Sequence, residues 1–106
     1  MIKEMIIGED VKQVLAGTAF LSLVTIGLDG NPHPIVAGKG EVVGDTVIFG
    51  IYKMEQTQKN LSVNNHAWVV GATMIDGKPK GYRLTGTAEA NGKQLVFSAT
   101  KTEVLI

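Results

Sequence analysis

Apolar residues fall at alternate positions through "YRLTGTAEA", which puts Tyr82, Leu84 and Ala88 on one face and Arg83, Thr85, Thr87 and Glu89 on the other. A period of two marks a strand with one side in a core and the other in water. Similar short apolar runs predict six strands, at about 19–27, 32–43, 46–52, 67–75, 81–90 and 94–101. Turn signals occur at Asp29-Gly30, Gly44-Asp45, Asp76-Gly77 and Asn91-Gly92. The last three have the spacing of two-residue hairpin connections, where glycine or asparagine takes the positive φ required. An antiparallel meander is the simplest chain order that uses these turns.

Two stretches break the period of two. "GEDVKQVLAG" begins with Glu9 and Asp10, places Val11, Val14 and Leu15 at i, i+3 and i+4, and ends on Gly17, where a C-cap glycine belongs. It predicts a short amphipathic helix. The second stretch, about 55–65, is helix-compatible but poor in apolar residues, with Leu61 its main anchor. The expected architecture is a small, closed or nearly closed antiparallel barrel with one helix inserted after the third strand. "AFLSLVTI" is apolar on both faces, which suits a strand with the barrel interior on one side and a helix or second subunit on the other. A dimer is therefore expected from Ala19 to Ile26 alone.

Length and charge narrow the function. A chain of 106 residues builds one domain around one core. Ten Lys plus Arg balance ten Asp plus Glu, and the aromatics are three Phe, two Tyr and one Trp, so neither a basic face nor a stacking platform for nucleic acid is present. The absence of cysteine excludes disulfides and thiolate chemistry. The longest mostly apolar run, "AFLSLVTIGL", is far short of a membrane span. A soluble, cytoplasmic protein with no membrane or nucleic-acid partner is the expectation.

The polar stretch "KMEQTQKNL", residues 53–61, stands between the apolar runs "TVIFGIY" and "AWVVGATM". A helix starting just after a barrel strand directs unpaired backbone N–H groups and the positive end of its macrodipole at the barrel mouth, which favours an anion. Gln56 and Thr57 add an amide and a hydroxyl at that helix start, and Lys53 and Lys59 add positive charge on either side. A purely structural reading makes Thr57 an N-cap and the lysines solvated. Both remain open on these residues alone. Other constellations carry less. His33 and His66 have no carboxylate at ligand spacing, "GKGEVVG" is not followed by a helix pattern, and Trp68 opens an apolar strand as a core or interface residue would. No paired carboxylates or nucleophile motif points to hydrolysis.

The order of a helix, "TAFLSLVTIGLDGNPHPIVA", "DTVIFGIY", "MEQTQKNLSVNNHAWVVGA", "GYRLTGTAEA" and "LVFSATKTEVLI" resembles the FMN-binding split barrels related to pyridoxamine 5'-phosphate oxidase, above all their small FMN-binding members. The resemblance spans about residues 11–106 and implies a six-stranded antiparallel split β-barrel with two short helices, mainly β. It also implies a homodimer holding FMN at the subunit interface. On this alignment, anchored at Asn60 and Leu61, the phosphate is held by Gln56 and Thr57, with Lys53 and Met54 beside them. The flavin is lined by the strand Val36, Ala37, Gly38 and Lys39 and by Gly50 and Ile51 in "FGIYK". Gly81, in "KGY", lies near the site, and Leu105 and Ile106 lie against the partner's flavin region.

The chain departs from that family in three places. Gln56 stands where the family usually has arginine or lysine, leaving Lys53 or Lys59 to supply the charge; "AEANGKQ" is a bare hairpin where many relatives insert a helix; and the substrate-binding arginines of a true pyridoxine-phosphate oxidase have no match in these residues, so a role in vitamin metabolism is not expected. The resemblance therefore implies an FMN-binding flavoprotein acting in redox chemistry or electron transfer, either flavin reductase-like or an electron carrier, with its redox partner or substrate unknown. The contrasting expectation is a non-catalytic small-ligand or interaction module that kept the barrel and lost the flavin.

Overall fold

The computed structural model describes residues 5–106. Two helices, α1 (Glu9–Gly17) and α2 (Glu55–Val63), accompany seven strands: β1 (Leu21–Ile26), β2 (Pro32–Gly38), β3 (Glu41–Val43), β4 (Thr46–Gly50), β5 (His66–Ile75), β6 (Lys78–Asn91) and β7 (Gln94–Val104). The strands form one antiparallel sheet in the order β2-β1-β5-β6-β7-β4-β3.

The count is seven and not six because the stretch expected to run from 32 to 43 is two strands. Gly38 takes a φ of 87°, a left-handed conformation that ends the extended backbone, and Lys39 and Gly40 turn the corner into β3. Nor is the order a plain meander. Hairpins β1–β2 and β3–β4 dock on opposite sides of the β5–β6–β7 meander through the non-sequential pairs β1–β5 and β4–β7. Turn residues mark where a hairpin bends but carry no information on which free edge it will pair with.

No hydrogen-bonded ladder joins β2 to β3 among the described residues, so the expected barrel is an open sheet. Connectivity nonetheless curls it. Only Lys39 and Gly40 separate the two end strands, so three peptide steps of at most ~3.6 Å each keep their adjoining ends within about 11 Å. A flat seven-stranded sheet would hold them about 29 Å apart, at roughly 4.8 Å per strand.

Inside the curl, alternation selects the core. Leu21 and Leu23 of β1, Val47 and Phe49 of β4, Val69 of β5, Leu84 of β6, and Leu95 and Phe97 of β7 are fully buried. Each contributes about 1.5–3 kcal/mol by leaving water. On β1, Ala19 and Phe20 precede the strand and are exposed, while Ser22, Val24 and Ile26 form its half-buried outer face. Helix α1 covers β5 with Val11, Val14 and Leu15. It ends on Gly17 without a glycine C-cap: Thr18 takes that position in an extended conformation and donates its hydroxyl to the Val14 carbonyl at 2.7 Å.

The turns follow their chemistry with one shift. Gly44-Asp45 and Asp76-Gly77 are two-residue connections, and Asp76 and Gly77 both have positive φ. In the β6–β7 hairpin Asn91 still pairs with Gln94, so the turn is Gly92-Lys93 and not Asn91-Gly92. One close approach matters for stability: at Gly86, where the β6–β7 register shifts, an added Cβ would overlap the Ser98 carbonyl oxygen.

Candidate functional site

Helix α2 starts in an unusual way. Strand β4 ends at Gly50, and three residues later Lys53 adopts a φ of 53°, a left-handed conformation that costs a non-glycine residue about 1–2 kcal/mol. Backbone strain of this kind is kept only where the surroundings enforce it, and it sets the direction of the helix that follows. The N-cap position falls on Met54, whose thioether sulfur is only a weak acceptor, and no side chain among the described residues caps the helix. The first helical bond runs from Gln58 N–H to the Met54 carbonyl at 2.9 Å. Glu55, Gln56 and Thr57 therefore have no helical acceptor for their N–H groups.

Thr57 is not the N-cap that a structural role would require. It lies in the first turn, 1% exposed. Met54 is also buried, against the core, whereas Lys53 is exposed, its Nζ 5.7 Å above the Tyr52 ring. Gln56 donates from Nε2 to Asn60 Oδ1 at 2.9 Å, and Asn60, fully buried, donates from Nδ2 to Thr25 Oγ1 at 3.1 Å. Thr25 occupies the inward parity of β1 with Leu21 and Leu23, so its buried hydroxyl is satisfied by the helix.

This three-residue chain was not anticipated as part of the site. Its signal was present in the sequence, as a threonine at a core position of an apolar strand and an asparagine four residues after Gln56 on one helical face.

The other expected residues divide among separate surfaces. Lys39 and Gly50 line a cleft of about 450 Å³ with Gly40, Glu41, Ile48 and Gln94. Gln56 lines a second cleft of about 450 Å³ with the β1–β2 turn, including Asp29, Asn31 and His33. The Asn31 backbone N–H, and secondarily the Asn31 side chain, hold the Asp29 carboxyl below its ordinary range, so the second cleft carries a negative charge at neutral pH.

Val36 is exposed on edge strand β2, opposite Ser22. Ala37 and Ile51 pack on the core, whereas Gly38 and Gly50 have open space where a Cβ would stand. Those two glycines leave room for a flat group against backbone. Gly81 and Ile106 meet each other, with an added Cβ at Gly81 falling 3.2 Å from the Ile106 side chain, and the Gly81 carbonyl accepts from the Leu105 N–H at 2.9 Å. They belong to β6 and the residues after β7, and neither lines the two clefts above.

A third cleft, about 410 Å³, lies on the outer sheet face between Val24, Pro32, Trp68, Val70, Arg83 and Glu103. Arg83 and Glu103 form a two-point ion pair there, with N–O distances of 3.3 and 3.2 Å. The Arg83 hydrogen bonds, chiefly, hold the Glu103 carboxyl below its ordinary range.

These features suit the phosphate end of a flavin mononucleotide: uncapped N–H groups, a hydroxyl and a neutral amide, with Lys53 beside them. Two carboxylates oppose an anion: Glu55, exposed in the same turn, and Asp29 in the cleft that Gln56 lines.

No family model matches the chain, and no curated protein matches it. Solved structures do. The chain aligns with a variant of HupZ from Group A Streptococcus at a TM-score of 0.77 and 18% identity, covering 93% of this chain and 99% of that one. It aligns with an FMN-binding protein from Syntrophomonas wolfei at a TM-score of 0.74 and 18% identity, covering 90% and 83%. A candidate pyridoxamine 5'-phosphate oxidase from Lactobacillus delbrueckii gives 0.72 and 15%, covering 91% and 92%. Agreement over nearly the whole chain at such identities is agreement of backbone. The chain thus shares its fold with the FMN-binding split barrels related to pyridoxamine 5'-phosphate oxidase.

Proposed function

We propose that this protein binds FMN between two copies of itself and acts in redox chemistry, as a flavin reductase-like enzyme or an electron carrier. The observation that carries the proposal is the start of α2, an uncapped first turn on a fold shared with an FMN-binding protein. The free N–H groups of Glu55, Gln56 and Thr57, the Thr57 hydroxyl and Lys53 would hold the phosphate. Gly38, Lys39, Gly50 and Ile51 would border the ring, with Val36 exposed beside them. The Gly81–Ile106 contact of one copy would close the site of the other. Bound there, the isoalloxazine supplies the redox chemistry, and this chain's residues fix its orientation and limit access of water. No helix among the described residues is long and apolar enough to cross a membrane, and the proposed setting is the cytoplasm.

One observation favours the contrasting module without flavin: Gln56 is uncharged and part of its carboxamide is already committed to Asn60. The two readings separate in one measurement, a titration of the purified protein with FMN followed by absorbance and flavin fluorescence. A saturable spectral change supports the flavoprotein, and FMN fluorescence unchanged at high micromolar protein rules it out. Sedimentation at micromolar concentration tests the shared site, since a stable monomer leaves the Gly81–Ile106 contact with no site to close.

A further inference from the structure

Asn60 is the one fully buried side chain among the described residues whose amide bonds on both sides to other side chains, Gln56 in the first turn of α2 and Thr25 in the core parity of β1. A polar chain through an apolar core is costly unless every member is paired, and here the members pair with one another. The chain also crosses between two environments. Thr25 and Asn60 are enclosed and bonded to each other, while Gln56 is exposed in the first turn of α2. Of the three, Gln56 alone is exposed, and its Nε2 is bonded to Asn60 Oδ1. Glutamine otherwise has among the largest rotamer freedom of any side chain, and a ligand that must immobilise it loses affinity accordingly.

We propose that Asn60 is a positioning residue for the ligand site: anchored by Thr25, it holds the Gln56 carboxamide in place so that a neutral, pre-set group meets the phosphate where a mobile cation would otherwise stand. The proposal rests on the flavin reading above. It adds that the contact is a hydrogen bond between fixed partners and not an ion pair, so that FMN affinity depends on Asn60 through Gln56.

The test is a double-mutant cycle on FMN affinity, with riboflavin as the ligand lacking phosphate. Asn60→Ala should weaken FMN about threefold to tenfold, the range for one neutral hydrogen bond, and leave riboflavin unchanged. In a Gln56→Ala background the same Asn60→Ala change should have no further effect on FMN, because nothing remains to be positioned. Thr25→Val, which keeps the volume and removes the anchor, should repeat the pattern more weakly and serves if Asn60→Ala does not fold. Equal losses for Asn60→Ala with and without Gln56, or equal losses for FMN and riboflavin, would overturn the proposal and make Asn60 a residue of the fold alone. If the unaltered protein binds neither flavin, the flavin reading itself has failed, and this inference with it. If the unaltered protein binds both and the cycle is additive, only the positioning role has failed.

Discussion

Replacing Thr57 by valine separates binding from packing at the start of α2. Threonine and valine have nearly the same volume, so Thr57→Val removes the hydroxyl without opening a cavity at a side chain that is 1% exposed. The unliganded protein should keep its stability to within about 1 kcal/mol, the net value of a neutral hydrogen bond. FMN should suffer more. A hydrogen bond to a charged group contributes about 1.5–3 kcal/mol, which is roughly a 13-fold to 160-fold weaker dissociation constant. Riboflavin has the same ring and no phosphate, so its affinity should stay put. The assay is a fluorescence titration of both flavins against both proteins, with thermal unfolding of each protein alone as the control. An unchanged ratio of FMN to riboflavin affinity would refute the reasoning, and a lowered melting temperature with that unchanged ratio would make Thr57 a packing residue.

Further expectations rest on other contacts. Gln56→Arg adds charge beside the phosphate and should tighten FMN more at low salt than at high salt, while loss of the bond to Asn60 lowers the unliganded melting temperature; salt-independent affinity would contradict the charge argument. Gly86→Ala forces a Cβ into the Ser98 carbonyl and should cost about 3 kcal/mol, lowering the melting temperature by more than about 10 °C in calorimetry, and an unchanged transition would mean that the β6–β7 bulge is not as tight as described. The Glu103 carboxyl ionises at lower pH in the folded protein than unfolded, so its contribution is complete above the ordinary carboxylate range and is lost as pH falls through the folded-state value. Glu103→Gln should therefore lower the melting temperature at neutral pH by an amount that shrinks in acid, and a difference independent of pH would rule out the ion pair as its source.

Strand existence was legible because burial on one face imposes a period of two: the sequence window 81–90 and the observed β6 agree on every side chain named. What escaped was conformational or non-local. The split at Gly38 depends on a backbone angle that a "VAGK" string does not announce, since glycine also occurs inside strands. The pairing of β1 with β5 joins residues about 45 apart and leaves no local trace. The site was legible only as a polar interruption. Gln56 and Thr57 stand out against their neighbours, but Thr57 was open to an N-cap role until Met54 was seen to hold that position. Asn60 and Thr25 are ordinary residues separately and become a unit only when α2 lies across β1.

The two ends of the curled sheet bear on how the protein stays dispersed. Unpaired strand edges are templates onto which another chain can add, and from there fibrils grow. Strand β2 carries Pro32 and Pro34, which have no N–H to offer an incoming strand, and β3 is only three residues long. The Lys39–Gly40 link also keeps the adjoining ends of these strands near each other, which leaves little room there for a foreign strand. Lengthening that link with flexible residues, or replacing both prolines with β-branched residues, would remove this protection with little change to the core. Such variants are the ones in which thioflavin-positive aggregation should first outpace refolding.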